Sequence, residues 1–260
     1  MTTHSGAVFD AHVHVIDPRF PLVPNDGYLP EPFTVADYRT AVRPLNVVGG
    51  AVVSGSFQGF DTSYLVDALG RLGAGFVGVC TIPPITPDSV IRRLDAVGVR
   101  AVRVNLFRGG SANLDAAMML ARRVHDLAGW HTELYLDAAD LPDLEAALAG
   151  LPQIVIDHLG MRDDASGALL RLVGRGAVVK ATGLGRVAHR DPGAVARAVL
   201  DANPHGLVFG TDLPSTRARR PYTHADLETI LSWLEPDQVD AVTHRNAERL
   251  YRIRPVRPAR

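Results

Sequence analysis

A single (β/α)8 barrel, open to slight distortion and with a proline-rich loop after its first strand, is the fold class this sequence predicts. Three observations lead there. Short β-rich runs alternate with helical patterns from one end to the other, and there are eight of them. Several runs are apolar almost throughout, as parallel strands covered on both faces are. The chain has 260 residues, close to the roughly 250 that such a barrel takes. A doubly wound open sheet is the other α/β arrangement, but it wants a glycine-rich phosphate loop after the first strand, and His12 to Asp17 offers none.

The expected strands, in order, are Ala7–Val15, Gly50–Ser54, Gly75–Thr81, Ala101–Leu106, Thr132–Asp137, Ile154–His158, Ala177–Ala181 and Leu207–Gly210. Between them, segments such as Asp88–Val97 and Leu114–Leu127 repeat apolar residues at three- and four-residue spacing, the mark of an amphipathic helix. Pro142 and Pro192 suit helix starts, and Gly98 and Gly129 suit C-terminal caps. From Ile16 to Phe33 five prolines and Asp26-Gly27 exclude a helix and predict a stiff loop. After a barrel strand, such a loop belongs over the mouth. One barrel domain over residues 1–260 is expected, its core at about 7–251, with a basic tail at 252–260.

Composition narrows the function classes. A hydrophobic share of 47% supports a large core, and a net charge of −1 argues against nucleic-acid or membrane-surface partners. One cysteine, Cys80, excludes an internal disulfide framework. Met1 to Phe9 lacks the basic stretch and apolar core of a secretory signal. No apolar run approaches the roughly 18 residues that span a bilayer. A cytoplasmic location is therefore expected.

Candidate chemistry falls where strands meet loops. Alternation puts His12 and His14 of Asp10-Ala11-His12-Val13-His14 on one strand face, their α-carbons roughly 6.6 Å apart, able to converge on one metal ion or one polarised oxygen. Asp212 in Gly210-Thr211-Asp212 follows the last strand and comes beside the first when the barrel closes, as a base, a ligand or a helix cap. His158 ends the sixth strand. Lys180 is the sole lysine among 27 basic residues and lies on an apolar strand. Buried there, it needs a carboxylate partner or a shifted pKa; otherwise its stem lies along the surface and its head reaches water. Arg103, Arg108, Arg186 and Arg217 lie in or just after strands, a set suited to an anionic substrate.

The ordered set of Asp10–His14 with Asp17-Pro18, Asp157-His158-Leu159-Gly160, Gly210-Thr211-Asp212 and Asn246–Tyr251 resembles the amidohydrolase superfamily, in the amidohydrolase-related branch that includes pyrone-dicarboxylate and sugar lactonases. The likeness runs from Phe9 to about Tyr251. It implies a hydrolase acting at the barrel mouth, with Asp212, His12, His14 and His158 as catalytic residues. It adds Tyr28, Ser56, Arg103, Tyr135 and Arg186 as substrate contacts; Lys180, Arg108 and Arg217 join them, although Arg108 is one residue out of register and Arg162 follows His158 at altered spacing. The fourth strand has no lysine or acid to bridge two metals, and Tyr135 stands where related decarboxylases carry a histidine. The resemblance thus implies either no cofactor or one zinc-like divalent ion at His12, His14 and Asp212. The expected partner is a small anionic or polyhydroxylated lactone. A metal-dependent non-oxidative decarboxylase and a binding barrel without turnover remain the alternatives.

Overall fold

The computed structural model describes residues 5–107, 114–164 and 167–253. Eight parallel strands run in sequence order around one sheet: β1 (Val8–Val13), β2 (Val47–Val53), β3 (Phe76–Cys80), β4 (Val99–Asn105), β5 (His131–Tyr135), β6 (Ile154–Ile156), β7 (Val178–Ala181) and β8 (Leu207–Phe209). Helices pack outside: α1 (Val35–Ala41), α2 (Ser63–Leu72), α3 (Asp88–Ala96), α4 (Leu114–Ala128), α5 (Leu141–Leu148), α6 (Ala168–Gly174), α7 (Pro192–Ala202), α8 (His224–Leu231) and α9 (Asn246–Tyr251). The expected (β/α)8 architecture is therefore observed.

Local signals act as their chemistry requires. Pro192 opens α7, behind an Asp191 carboxylate that accepts from the Ala194 amide. Gly98 and Gly129 follow α3 and α4 at positive φ, where a Cβ would be strained. Residues 16–33 hold no helix; the loop is pinned at its ends by an Ile16–Phe33 bridge and closed at its tip by an Asn25–Tyr28 bridge. No helix among the described residues is long and apolar enough to cross a membrane.

Two strands differ from expectation in a way that matters for the site. The sixth ends at Ile156, two residues early, and His158 sits in a short 3-10 turn with φ of 52°. The second begins at Val47 rather than at the expected Gly50, and Gly49 and Gly50 inside it lie too close to neighbouring backbone and rings to carry a Cβ. The tail expected from residue 252 lies, beyond Ile253, outside the described residues.

Closure joins β1 to the segment just past β8. The Asp212 amide donates to the His12 carbonyl at 2.8 Å, and the His14 amide to the Leu213 carbonyl at 2.8 Å. Fully buried Asp10 reinforces the seam: its carboxylate accepts from the Thr211 amide (2.8 Å), the Thr211 hydroxyl (2.7 Å), the His12 amide (3.3 Å) and the Tyr38 hydroxyl (3.1 Å). Burial pushes the Asp10 pKa up from 3.8 to about 6, against the pull of these donors.

Asp10→Ala should cost about 2–4 kcal/mol of stability in urea unfolding, because several buried donors lose their acceptor together. The raised pKa means that the folded state favours the protonated acid. Wild-type stability should therefore fall as pH climbs from 3.8 toward about 6, and the Asp10→Ala profile should lack that slope.

Candidate active site

The strand ends converge on a narrow cleft at the C-terminal mouth. His14, Ser56, Arg103, Tyr135, His158, Arg186 and Arg217 line it, and Tyr28 reaches in from the proline-rich loop. Eight expected site residues therefore meet in one place. Gly55, Phe57, Asn105 and Thr216 complete the lining without having been singled out as site residues. His12 and Asp212 lie beneath, both fully buried. Arg108 falls outside the described residues. Arg162 is mostly exposed and pairs with Asp137, away from the cleft lining.

Asp212 is the centre of this arrangement. Its backbone has φ of 62°, a left-handed conformation that aspartate tolerates better than most side chains. Arg186 binds one carboxylate oxygen only: its Nε donates to Oδ2 at 2.7 Å, its Nη2 lies 2.6 Å from the same atom, and Nη2 also donates to the Thr216 carbonyl. Asp212 Oδ1 is left buried without a hydrogen-bond partner. It lies 3.9 Å from His12 Nε2, 3.9 Å from His14 Nε2 and 4.0 Å from His158 Nε2. These separations are too long for hydrogen bonds and leave an acceptor facing three imidazoles.

Each imidazole is held from behind. His14 Nδ1 lies 2.8 Å from the Val53 carbonyl, and His158 Nδ1 lies 2.8 Å from the Thr182 hydroxyl. Burial lowers both pKa values well below 6.5, helped for His14 by the charges of His12 and Arg103 and for His158 by those of Arg186 and His12. His12 is lowered too, by burial first, with Asp157 opposing. Tyr135 packs edge-on against His158, with the Arg103 guanidinium over its ring.

The arginines of the cleft and the lysine also have partners within the protein. Arg103 is committed within the protein: Nε and Nη2 donate to Asp157 Oδ2 at 3.2 and 2.9 Å, and Nη1 to the Ser54 carbonyl at 2.8 Å. Arg186 is committed to Asp212. Arg217 stacks over Tyr28 at 4.5 Å and donates to the Asn25 carbonyl, tying the proline-rich loop to the β8 side. Lys180, expected among the substrate contacts, is instead fully buried below the cleft, 2.5 Å from Glu133 Oε2 and 3.4 Å from Asp157 Oδ1. A buried ammonium needs such partners. Burial raises Glu133 and Asp157, and the Lys180 charge contributes most to bringing both below the ordinary carboxylate range.

Glu133 is the residue that the sequence reading passed over. Lys180 called for a carboxylate, and Glu133 is the one acid inside the buried strand β5, two residues before Tyr135 and so on the same face. Its other oxygen accepts from the Tyr251 hydroxyl at 2.6 Å. Among the described residues, two groups have metal-ligand atoms within 4.8 Å of one another: His12, His158 and Asp212, and His12, Glu133 and Asp157. The first contains His158 where the expected ligand set had His14.

The amidohydrolase family model matches residues 9–253. A 2-pyrone-4,6-dicarboxylate hydrolase of Comamonas testosteroni is 30% identical over 237 residues, covering 81% of this chain and 77% of its own. A 4-sulfomuconolactone hydrolase of Rhizobium radiobacter is 27% identical over 255 residues, covering 88% and 84%. A solved structure from Agrobacterium tumefaciens shares the fold, with a TM-score of 0.87 over 98% of both chains at 24% identity.

The depressed histidines give a direct expectation. In an NMR titration the His14 and His158 rings should stay neutral at pH 6, where an ordinary histidine is largely protonated. A folded-state pKa below the unfolded one means stability is lost as pH falls below 6.5, because the unfolded chain then binds more protons. Urea unfolding between pH 7 and 5 should show that loss.

Proposed function

The chain belongs to the amidohydrolase family and is a hydrolase, and we propose that it opens a small anionic lactone with water activated at Asp212. One observation carries the reading: the buried Asp212 Oδ1, with no partner of its own, facing three neutral imidazole Nε2 atoms about one water or carbonyl oxygen away. Both relatives above are named for lactone hydrolysis, which supports the same substrate class.

The geometry suggests the division of labour. A water between Asp212 and His14 donates one proton to each of two acceptors, Asp212 Oδ1 and His14 Nε2, and turns a lone pair to the lactone carbonyl carbon. As the C–O bond to water forms, Asp212 Oδ1 takes the water proton. His12 and His158 stabilise the oxyanion that develops. Collapse breaks the ring C–O bond, and the proton on Asp212 passes to the departing ring oxygen, leaving a hydroxyl and a carboxylic acid. The water's second proton then leaves that acid through His14 Nε2 to solvent, giving the carboxylate and restoring both side chains. Arg186 keeps Oδ2 occupied, so the working oxygen is always Oδ1. Tyr28, Ser56 and Tyr135 position the ring.

Charge accounting assigns the substrate anion to Arg217. Arg103, Lys180 and Arg186 each have a protein carboxylate, whereas Arg217 faces the cleft with only the exposed Asp26, at 3.8 Å, as a charged partner among the described residues. A metal fits this site poorly. The group of His12, Glu133 and Asp157 already surrounds the Lys180 ammonium, and in the other group Asp212 carries Arg186. A divalent ion would add charge to a buried cluster already in balance. The same point weighs against the metal-dependent decarboxylase.

Asp212→Asn should lower kcat for lactone hydrolysis by roughly 10²–10⁴ with KM little changed. A large rise in KM at unchanged kcat would make Asp212 a positioning residue instead. Arg217→Ala should raise KM for a carboxylated lactone by roughly ten- to a hundredfold. An uncharged lactone of the same ring should be nearly unaffected; equal losses on both would assign Arg217 to loop order rather than to charge.

A further inference from the structure

Lys180 Nζ has three neighbours of acceptor type: Glu133 Oε2 at 2.5 Å, His12 Nδ1 at 3.3 Å and Asp157 Oδ1 at 3.4 Å. An ammonium has three hydrogens and no lone pair, so in its contact with His12 the lysine can only donate. The three residues are those of the second metal-ligand group, so the ammonium sits among side chains that could hold a cation.

A ring nitrogen that accepts carries no proton, and a neutral imidazole has one proton to place. Asp157 Oδ1 also lies 3.3 Å from His12 Nδ1 and is the competing acceptor for a proton there. With the ammonium donating to Nδ1, however, the His12 proton is on Nε2, the atom that is buried without a hydrogen-bond partner and faces Asp212. His14 is the reverse. Its Nδ1 meets the Val53 carbonyl, which only accepts, so the proton is on Nδ1 and Nε2 bears the lone pair. The two Nε2 atoms, each 3.9 Å from Asp212 Oδ1, therefore have opposite polarity.

We propose that Lys180 is a positioning residue: by donating to His12 Nδ1 it keeps the His12 proton on Nε2, making that nitrogen a one-way donor toward the cleft and denying it to a metal ion. What His12 donates to, a lactone carbonyl oxygen, rests on the function proposed above; the placement of its proton does not.

The test reads the tautomer directly. In the full-length protein labelled with 15N-histidine, long-range 1H–15N correlations assigned through His12→Gln should show His12 as the Nε2–H form. In the paired variant Lys180→Met/Glu133→Gln, which removes the ammonium together with its nearest carboxylate, the proton should move to Nδ1, facing Asp157. Lactone kcat should then fall about 10²-fold, the scale of losing one oxyanion donor, with KM little changed. An Nδ1–H form in the wild type, or an unchanged tautomer in the folded variant, overturns the proposal. So does stoichiometric zinc binding by the wild type that is lost in His12→Gln. These two wild-type measurements decide the matter even if the paired variant does not fold. A wild type that shows the Nε2–H form yet hydrolyses no lactone would sink the proposed function and leave this inference standing.

Discussion

Four hydrogen bonds onto one buried carboxylate hold the barrel shut where it matters. Asp10 accepts from both donors of Thr211, from the His12 amide and from Tyr38, and so joins the first strand to the chain leaving the eighth. Everything at the mouth follows from that seam. His12 and His14 come from one side of it and Asp212 from the other, about 200 residues apart in sequence and 3.9 Å apart in space. Thr211 is also what sets the start of the turn that carries Asp212 into a left-handed backbone, held by amide bonds from Asp212 to His12 and from Ser215 to Asp212. Such strain is affordable only where surrounding bonds over-determine it.

Below the seam the charges come in pairs: Lys180 with Glu133, Arg103 with Asp157, Arg186 with Asp212. Burying six ionisable groups is costly unless each is paired and hydrogen-bonded, and here each pair is. Their balance keeps the surrounding histidines neutral, since burial already disfavours the imidazolium. Neutral rings serve hydrolysis well, because each offers one donor and one acceptor, and the group behind each ring decides which end is which. The Val53 carbonyl decides it for His14.

Much of this was legible in the chain itself. Alternation of apolar strands and amphipathic helices gave the eightfold architecture, because each element must hide a face and the period of apolar residues records which. Strand-end positions gave His12, His14, His158 and Asp212. The prolines of Ile16–Phe33 marked a loop, and Tyr28 does reach the cleft from it. Glu133 was readable in principle, as an acid on an inward strand face that matched a lysine in need of a partner.

What composition, periodicity and motif spacing determined is which residues stand at strand ends, since that depends only on local pattern along the chain. What only the tertiary structure decided is how those residues spend their charge. Only the fold shows that Arg103 and Arg186, at the cleft as their strands place them, also pair with Asp157 and Asp212. Of the two readings open for Lys180, buried beside a carboxylate or reaching water, Glu133 makes it the first. The physical reason is that ion pairs and ring tautomers are set by distances of a few ångströms between strands far apart in sequence. No local pattern encodes those distances; closure of the barrel does.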